Sequence, residues 1–244
     1  MIRKVLVTAL LSGFLAGLFV SGLQAVKVVP LIHEAETYEE AATAPPPAAT
    51  GGNENAGAAH QHEPEDWQPE EGFERIAYTI AADVLAAMGF AFLLVGAYVF
   101  SGRPVDAKRG LLWGLAGYAV FSLAPSLGLP PELPGAAPET VASADLVARQ
   151  IWWLGTAAAT AAGLALIVFA RHLVLKALGV LCLVAPHLIG APQRLGVESV
   201  VPSALREEFI LASLVTSILF WLALGAASGW LYARQRIGPA SRPE

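Results

Sequence analysis

Residues 76–100 read IAYTIAADVLAAMGFAFLLVGAYVF. One charged residue, Asp83, interrupts an otherwise apolar run. A helix that crosses a bilayer needs about 20 largely apolar residues, because each residue rises about 1.5 Å through a hydrocarbon core about 30 Å thick. The run meets that requirement and reads as a transmembrane helix. The same rule, applied outward from it, selects five more runs, roughly 5–29, 110–128, 150–170, 173–190 and 209–233. The 110–128 run is only just long enough. The 173–190 run is the weakest, since it holds Lys176 and Pro186 and follows its predecessor almost without a loop, at Arg171-His172. The chain therefore reads as all-α: one domain, 1–244, forming a polytopic transmembrane helix bundle of about six spans. Five spans result if 173–190 is re-entrant or interfacial.

Composition agrees. Of 244 residues, 55% are hydrophobic and only 14% charged, against about a quarter charged in soluble domains. Nothing suggests a soluble catalytic domain, and the mild net charge of -5 is no reason to expect a nucleic-acid partner. The single cysteine, Cys182, excludes a disulfide framework and a cysteine-type zinc site.

Charge placement orients the bundle. With the N-terminus in the cytoplasm, that side holds Arg3, Lys4, Arg103, Lys108, Arg109, Arg171, Lys176, Arg234, Arg236 and Arg242. The other side keeps Lys27, Arg75, Arg149, Arg194 and Arg206. This is the positive-inside bias. Six spans put both termini inside; five would turn Arg234 and Arg236 outward, which favours six. Only Asp106 and Glu244 among the acids fall on the basic side. Acids do little to set orientation, so their sorting suggests a use outside. The N-terminal run has the basic start of a signal peptide. It is about 25 residues long without a clear A-x-A cleavage site, and reads better as a span.

The longest polar piece is the external loop, about 30–75. Its middle, Ala41–Ala59, is rich in Ala, Pro and Gly and reads as a flexible linker. Its flanks carry His33, Glu34, Glu36, Glu39 and Glu40 on one side and His60, His62, Glu63, Glu65 and Asp66 on the other. Imidazole and carboxylate together suit borderline divalent transition metals. His60 and His62 form a two-nitrogen clip if that segment is extended. His33 and Glu36 or Glu40, at i, i+3 and i+7, would share one helix face. The competing reading is a solvated acidic loop that concentrates cations without ligating them.

Within the spans, Asp83 lies about two turns from the outer surface, on a stripe with Arg75, Thr79 and Ala87. A charge at depth is costly and faces a polar cavity or a partner. It is therefore a candidate cation ligand, or else one member of an interhelical bond. His187 follows Pro186 near the outer end of its span, and the proline frees a backbone carbonyl one turn earlier. It is a further candidate ligand, as is Glu132 in the Pro/Gly-rich cap after 110–128. Arg75 and Arg149 are candidate ion-pair partners, Arg149 for Glu132, Asp145 or Asp83. Trp152-Trp153 fits an interfacial aromatic belt, and His172 beside Arg171 an interface residue. Small residues four apart, Gly13/Gly17/Ser21, Gly110/Gly114 and Gly225/Gly229, read as helix-packing steps.

There is no Walker A loop, no H-E-x-x-H and no G-x-S-x-G. No enzyme is expected, no resident cofactor, and no ATP hydrolysis in this chain.

Several ordered segments carry a family resemblance: Val29-Pro30-Leu31-Ile32-His33-Glu34-Ala35-Glu36, Trp67, Glu71-Gly72-Phe73-Glu74-Arg75 with Tyr78-Thr79, and Leu123-Ala124-Pro125 with Gly128-Leu129-Pro130-Pro131-Glu132. Arg149-Gln150-Ile151-Trp152-Trp153 and Pro186-His187-Leu188-Ile189-Gly190-Ala191-Pro192 complete the set. The chain resembles the CbtA family of prokaryotic cobalt transporter subunits over nearly its whole length. The resemblance implies five or six spans in the prokaryotic plasma (inner) membrane, a His-bearing external loop, Co²⁺ as the transported cation, and a small single-span His-containing partner subunit (CbtB-like). The expected function is thus a divalent-metal permease or permease subunit. The alternative is a non-transporting scaffold or metal-sensing partner.

Overall fold

The computed structural model describes residues 2–43, 69–70, 72–133, 143–193 and 199–235. Among these residues the regular elements are all helical. They are α1 (Ile2–Lys27), α2 (Val29–Thr43), α3 (Phe73–Ser101), α4 (Ala107–Tyr118), a π-helical turn (Ala119–Leu123), α5 (Ala124–Ser126), α6 (Ser143–Phe169), α7 (Leu173–Ile189) and α8 (Ser203–Arg234). The all-α membrane fold expected from hydropathy is the fold observed. Four helices (Ile2–Lys27, Phe73–Ser101, Leu146–Phe169 and Ser203–Arg234) are long and apolar enough to cross a membrane. Leu173–Ile189 is shorter, at 17 residues, which is about 25 Å of helix at 1.5 Å per residue.

Contacts at the two ends of the bundle fix an up-and-down course. At one end α2 packs Leu31 and Ala35 against Leu133, Val201, Leu205 and Phe209. Glu36 of α2 meets Arg75 at the start of α3, and Glu132 meets Arg149 near the start of α6. At the other end the Lys4 ammonium sits over the Tyr232 ring, Arg103 over Phe169, and Tyr98 against Tyr232. The helix formed by α4, the π turn and α5 runs between the same two ends, as does the α6–α7 hairpin. Basic residues gather at the end opposite α2, where Asp106 is the acid among the described residues. Glutamates gather at the α2 end.

Small residues make the close approaches. In lipid, helices gain little from hydrophobic burial, so association depends on van der Waals contact and interhelical bonds. A Cβ on Gly17 would lie 2.6 Å from the Val84 Cα, and one on Gly13 2.5 Å from the Met88 Cα. These two glycines seat α1 on α3. Gly110 and Gly114 meet Gly225 and Gly229 between α4 and α8, and Gly163 meets Gly179 between α6 and α7. Helix α1 also packs on α8, and its Ala9 and Ala16 are buried in the central core.

The π turn has a local cause. Pro125 has no N–H to return to the Phe121 carbonyl, so the ladder is interrupted there. The Ala124 N–H instead reaches the Ala119 carbonyl, five residues back. Phe121 then stacks on Trp221 at 5.6 Å and 6°, and Phe90 adds an edge contact at 5.0 Å. Of the stretch Ala41–Ala59, the first three residues belong to α2, which corrects the linker boundary. The rest of that stretch, with His60 and His62, lies outside the described residues.

Candidate functional site

Helix α2 follows α1 with a bend at Val28, where the Val28 N–H still reaches the Gln24 carbonyl at 2.8 Å. Pro30 falls in the first turn of α2, where a missing N–H leaves nothing unsatisfied. Leu31 and Ala35 occupy the inward face, so His33 and Glu34 point away from the bundle. Glu36 sits between the two faces and is held from both sides. Arg75 Nη2 donates to Glu36 Oε1 at 2.7 Å, and His33 Nδ1 lies 2.9 Å from Oε2. The Arg75 guanidinium holds the Glu36 carboxyl below the usual carboxylate range, and the bond to His33 acts in the same direction.

Asp83 lies deeper, half-buried on the face of α3 that meets α1. Ser21 Oγ is 2.8 Å from Asp83 Oδ2 and 3.0 Å from the Gly17 carbonyl oxygen. The Gln24 side chain, nearly one turn further along α1, lies near the same carboxyl. A serine hydroxyl has one proton and two acceptor lone pairs. Ser21 can therefore donate to a carboxylate, or accept from a carboxylic acid while it donates to Gly17. Both protonation states of Asp83 have a partner in this place. Among the described residues Asp83 is in no ion pair.

The remaining candidates sit elsewhere. Arg149 Nη2 donates to Glu132 Oε1 at 2.7 Å, tying the cap after α5 to α6. His187 stands edge-on to Trp152 with ring centres 6.0 Å apart, and the Trp152 indole N–H donates to the Pro186 carbonyl at 3.3 Å. The tryptophan pair expected at the interface thus also clamps helices, since Trp153 lies over Phe121 at 6.4 Å.

The sequence-predicted residues therefore fall into three places: His33, Glu36 and Arg75 on α2 and α3; Asp83 on the α1–α3 seam; Glu132, Arg149 and His187 around the ends of α6 and α7 that lie on the α2 side of the bundle. His60 and His62 lie outside the described residues. Among the described residues no three His, Cys, Asp or Glu side chains converge as a metal cage. Ser21 was missed as the partner of Asp83. The Gly13/Gly17/Ser21 spacing marked that face of α1, but only as a packing surface.

The bundle of long apolar helices and its charge-sorted ends define a multi-pass membrane protein. The sequence model of CbtA, described as a probable cobalt transporter subunit, matches residues 2–233, and the chain belongs to that family. Comparison with curated proteins and with solved structures gives no match.

Proposed function

We propose that this chain is a permease subunit for a divalent transition-metal cation, with Co²⁺ as cargo. The family description supports a role in cobalt transport and, in the word subunit, a partner chain. We take that partner to be the small single-span histidine-bearing protein implied by the sequence resemblance, and the chain to be a transporter component and not an enzyme. The basic end faces the cytoplasm of a prokaryotic inner membrane, following the positive-inside rule. The glutamate-rich α2 end then faces outward, where its field concentrates cations. His33 and Glu36, with His60 and His62 of the loop, are the proposed capture groups. Glu132 and His187 are proposed as secondary donors near the outer ends of the spans. N/O ligation of this kind suits Co²⁺ or Ni²⁺.

The observation that carries the reading is Asp83. It is a carboxyl within a span, held by the neutral Ser21 hydroxyl and in no ion pair among the described residues. A salt bridge to a basic partner would mark this carboxyl as structural. Here Arg75 is engaged by Glu36 and Arg149 by Glu132. The test is uptake of radiolabelled Co²⁺ into proteoliposomes, with and without the single-span partner. Uptake that requires this chain and is lost in Asp83→Asn supports the proposal. Unchanged uptake in that variant removes Asp83 from the pathway.

One observation favours the scaffold or metal-sensing reading. The large cleft between α3, α4 and α6 is apolar and bordered by two arginines, so it offers a cation no route. Metal binding at the α2 end without uptake, even with the partner present, would establish that alternative.

A further inference from the structure

The α6–α7 hairpin touches the rest of the bundle mainly at its two ends. At the α2 end Trp152 lies against Gly128 and Trp153 over Phe121. At the basic end Phe169 meets Trp113 with ring centres 6.2 Å apart. Between these contacts α6 presents the small side chains of Ala161 and Ala165 to α3 and α4. A cleft of about 900 Å³ remains, floored by Phe90, Phe121 and Trp221. That volume lies toward the upper end of the range for sites that enclose an organic ligand. The wall residues Leu93, Leu112 and Val168 are more than half exposed, so the cleft opens sideways toward lipid.

The lining contains no acidic and no hydroxyl side chain, and its two charged members are Arg103 and Arg109. Both belong to the basic end, one in the turn after α3 and the other in the first turn of α4. Arg103 lies over the Phe169 ring at 4.7 Å, and Arg109 donates to the Pro104 carbonyl. Among the described residues neither guanidinium is in an ion pair. Asp106, the nearby acid, accepts the backbone N–H of Arg109 instead. Lys108 and Arg171 add positive charge at the same end.

An apolar slot with a cationic mouth is matched by one abundant component of a bilayer. We infer that this cleft is a binding site for an anionic phospholipid, with acyl chain in the slot and phosphate between Arg103 and Arg109. Basic pockets between membrane helices recognise anionic headgroups by the same charge match. The acyl chain fills the space that the hairpin leaves, and so sets its spacing from α3 and α4. The inference does not depend on the cargo.

Trp113 and Trp221 line the cleft, which makes occupancy readable by fluorescence. The full chain is reconstituted into phosphatidylcholine vesicles containing increasing amounts of phosphatidylglycerol with brominated acyl chains. Matched vesicles carry the same bromines on phosphatidylcholine. The expected result is a saturable quenching component at low mole fraction, seen only with brominated phosphatidylglycerol. Each basic residue near a membrane surface contributes about 1 kcal/mol to anionic-lipid attraction. Arg103→Gln with Arg109→Gln should therefore shift that component to at least about tenfold higher lipid content. Ala165→Phe, which narrows the slot and leaves the charges alone, should remove it as well. Equal quenching by both brominated lipids overturns the inference. So does a saturable component that survives in both variants. A slot filled by a second copy or by a partner helix would give no component dependent on Arg103 and Arg109, with the same consequence.

Discussion

Ser21 Oγ lies 2.8 Å from Asp83 Oδ2 across the seam between α1 and α3, and the same hydroxyl reaches the Gly17 carbonyl at 3.0 Å. The contact exists because Gly13 and Gly17 let α1 approach α3 so closely that the next residue on that face meets the carboxyl. Asp83→Asn keeps the shape and the bond to Ser21 and removes the ionisable group. We expect it to abolish Co²⁺ uptake while the protein still reaches the membrane. Ser21→Ala removes this partner and leaves the ionisable carboxyl, so uptake should fall without vanishing. Uptake assays with membrane-fraction immunoblots separate lost transport from lost protein. Wild-type uptake in Asp83→Asn would refute the role given to this carboxyl.

The glycine seam itself makes a second prediction. A Cβ on Gly17 would lie 2.6 Å from backbone, which cannot swing aside as a side chain can. Overpacking of this kind costs about 1–3 kcal/mol. Gly22, one turn along, has nothing within 4 Å of an added Cβ. In detergent, Gly17→Ala should lower the midpoint of thermal unfolding by several degrees, while Gly22→Ala leaves it unchanged or raises it. Equal midpoints for the two variants would mean that α1 does not pack on α3 through Gly17.

The membrane fold was legible because hydropathy and helix length answer to one constraint, the thickness of the bilayer. The run 76–100 lies wholly inside α3, and the doubtful 173–190 run is indeed a helix, but a short one. What hydropathy does not encode is which helix a given face meets. The sequence singled out Asp83 and Arg75 on one stripe, but not that Arg75 would turn to Glu36 on α2 while Asp83 met Ser21 on α1. Those choices follow from tertiary packing, through the Gly17–Val84 approach and the docking of Leu31 and Ala35 on Leu205 and Phe209. The π turn at Ala119–Leu123 was hidden for a similar reason. Pro125 announces a break in the ladder but not whether the chain ends, kinks or widens there.

The link between Glu36 and Arg75 has a pH dependence whose sign follows from Glu36. Its carboxyl is held below the ordinary value of 4.5, chiefly by the hydrogen bond from Arg75. A depressed carboxylate stabilises the fold above its unfolded value, and the contribution is lost as pH falls through the lower folded value. Arg75 is 36% exposed, so the pair is worth no more than about 1 kcal/mol. Glu36→Gln should therefore lower the unfolding midpoint slightly at neutral pH. The difference from wild type should close once the pH drops below the carboxylate range. A gap that persists unchanged at low pH would assign the effect to packing of α2 instead.

Capture and passage should separate kinetically if the outer histidines and Asp83 have the roles proposed. Groups that gather the cation before it enters the bundle set how much Co²⁺ is needed, whereas a group on the path limits the maximal rate. His33 is exposed and 2.9 Å from Glu36, so His33→Ala perturbs the surface of α2 and spares its buried face. Combined with His60→Ala and His62→Ala, it should raise the half-saturating Co²⁺ concentration by at least about tenfold, a loss of about 1.4 kcal/mol or more in binding. The maximal uptake rate should change little. Asp83→Asn should do the reverse, losing the maximal rate while Co²⁺ still binds at the α2 end by equilibrium dialysis. A triple histidine variant with unaltered half-saturation would leave the glutamates alone to attract the cation and would remove the histidines from capture.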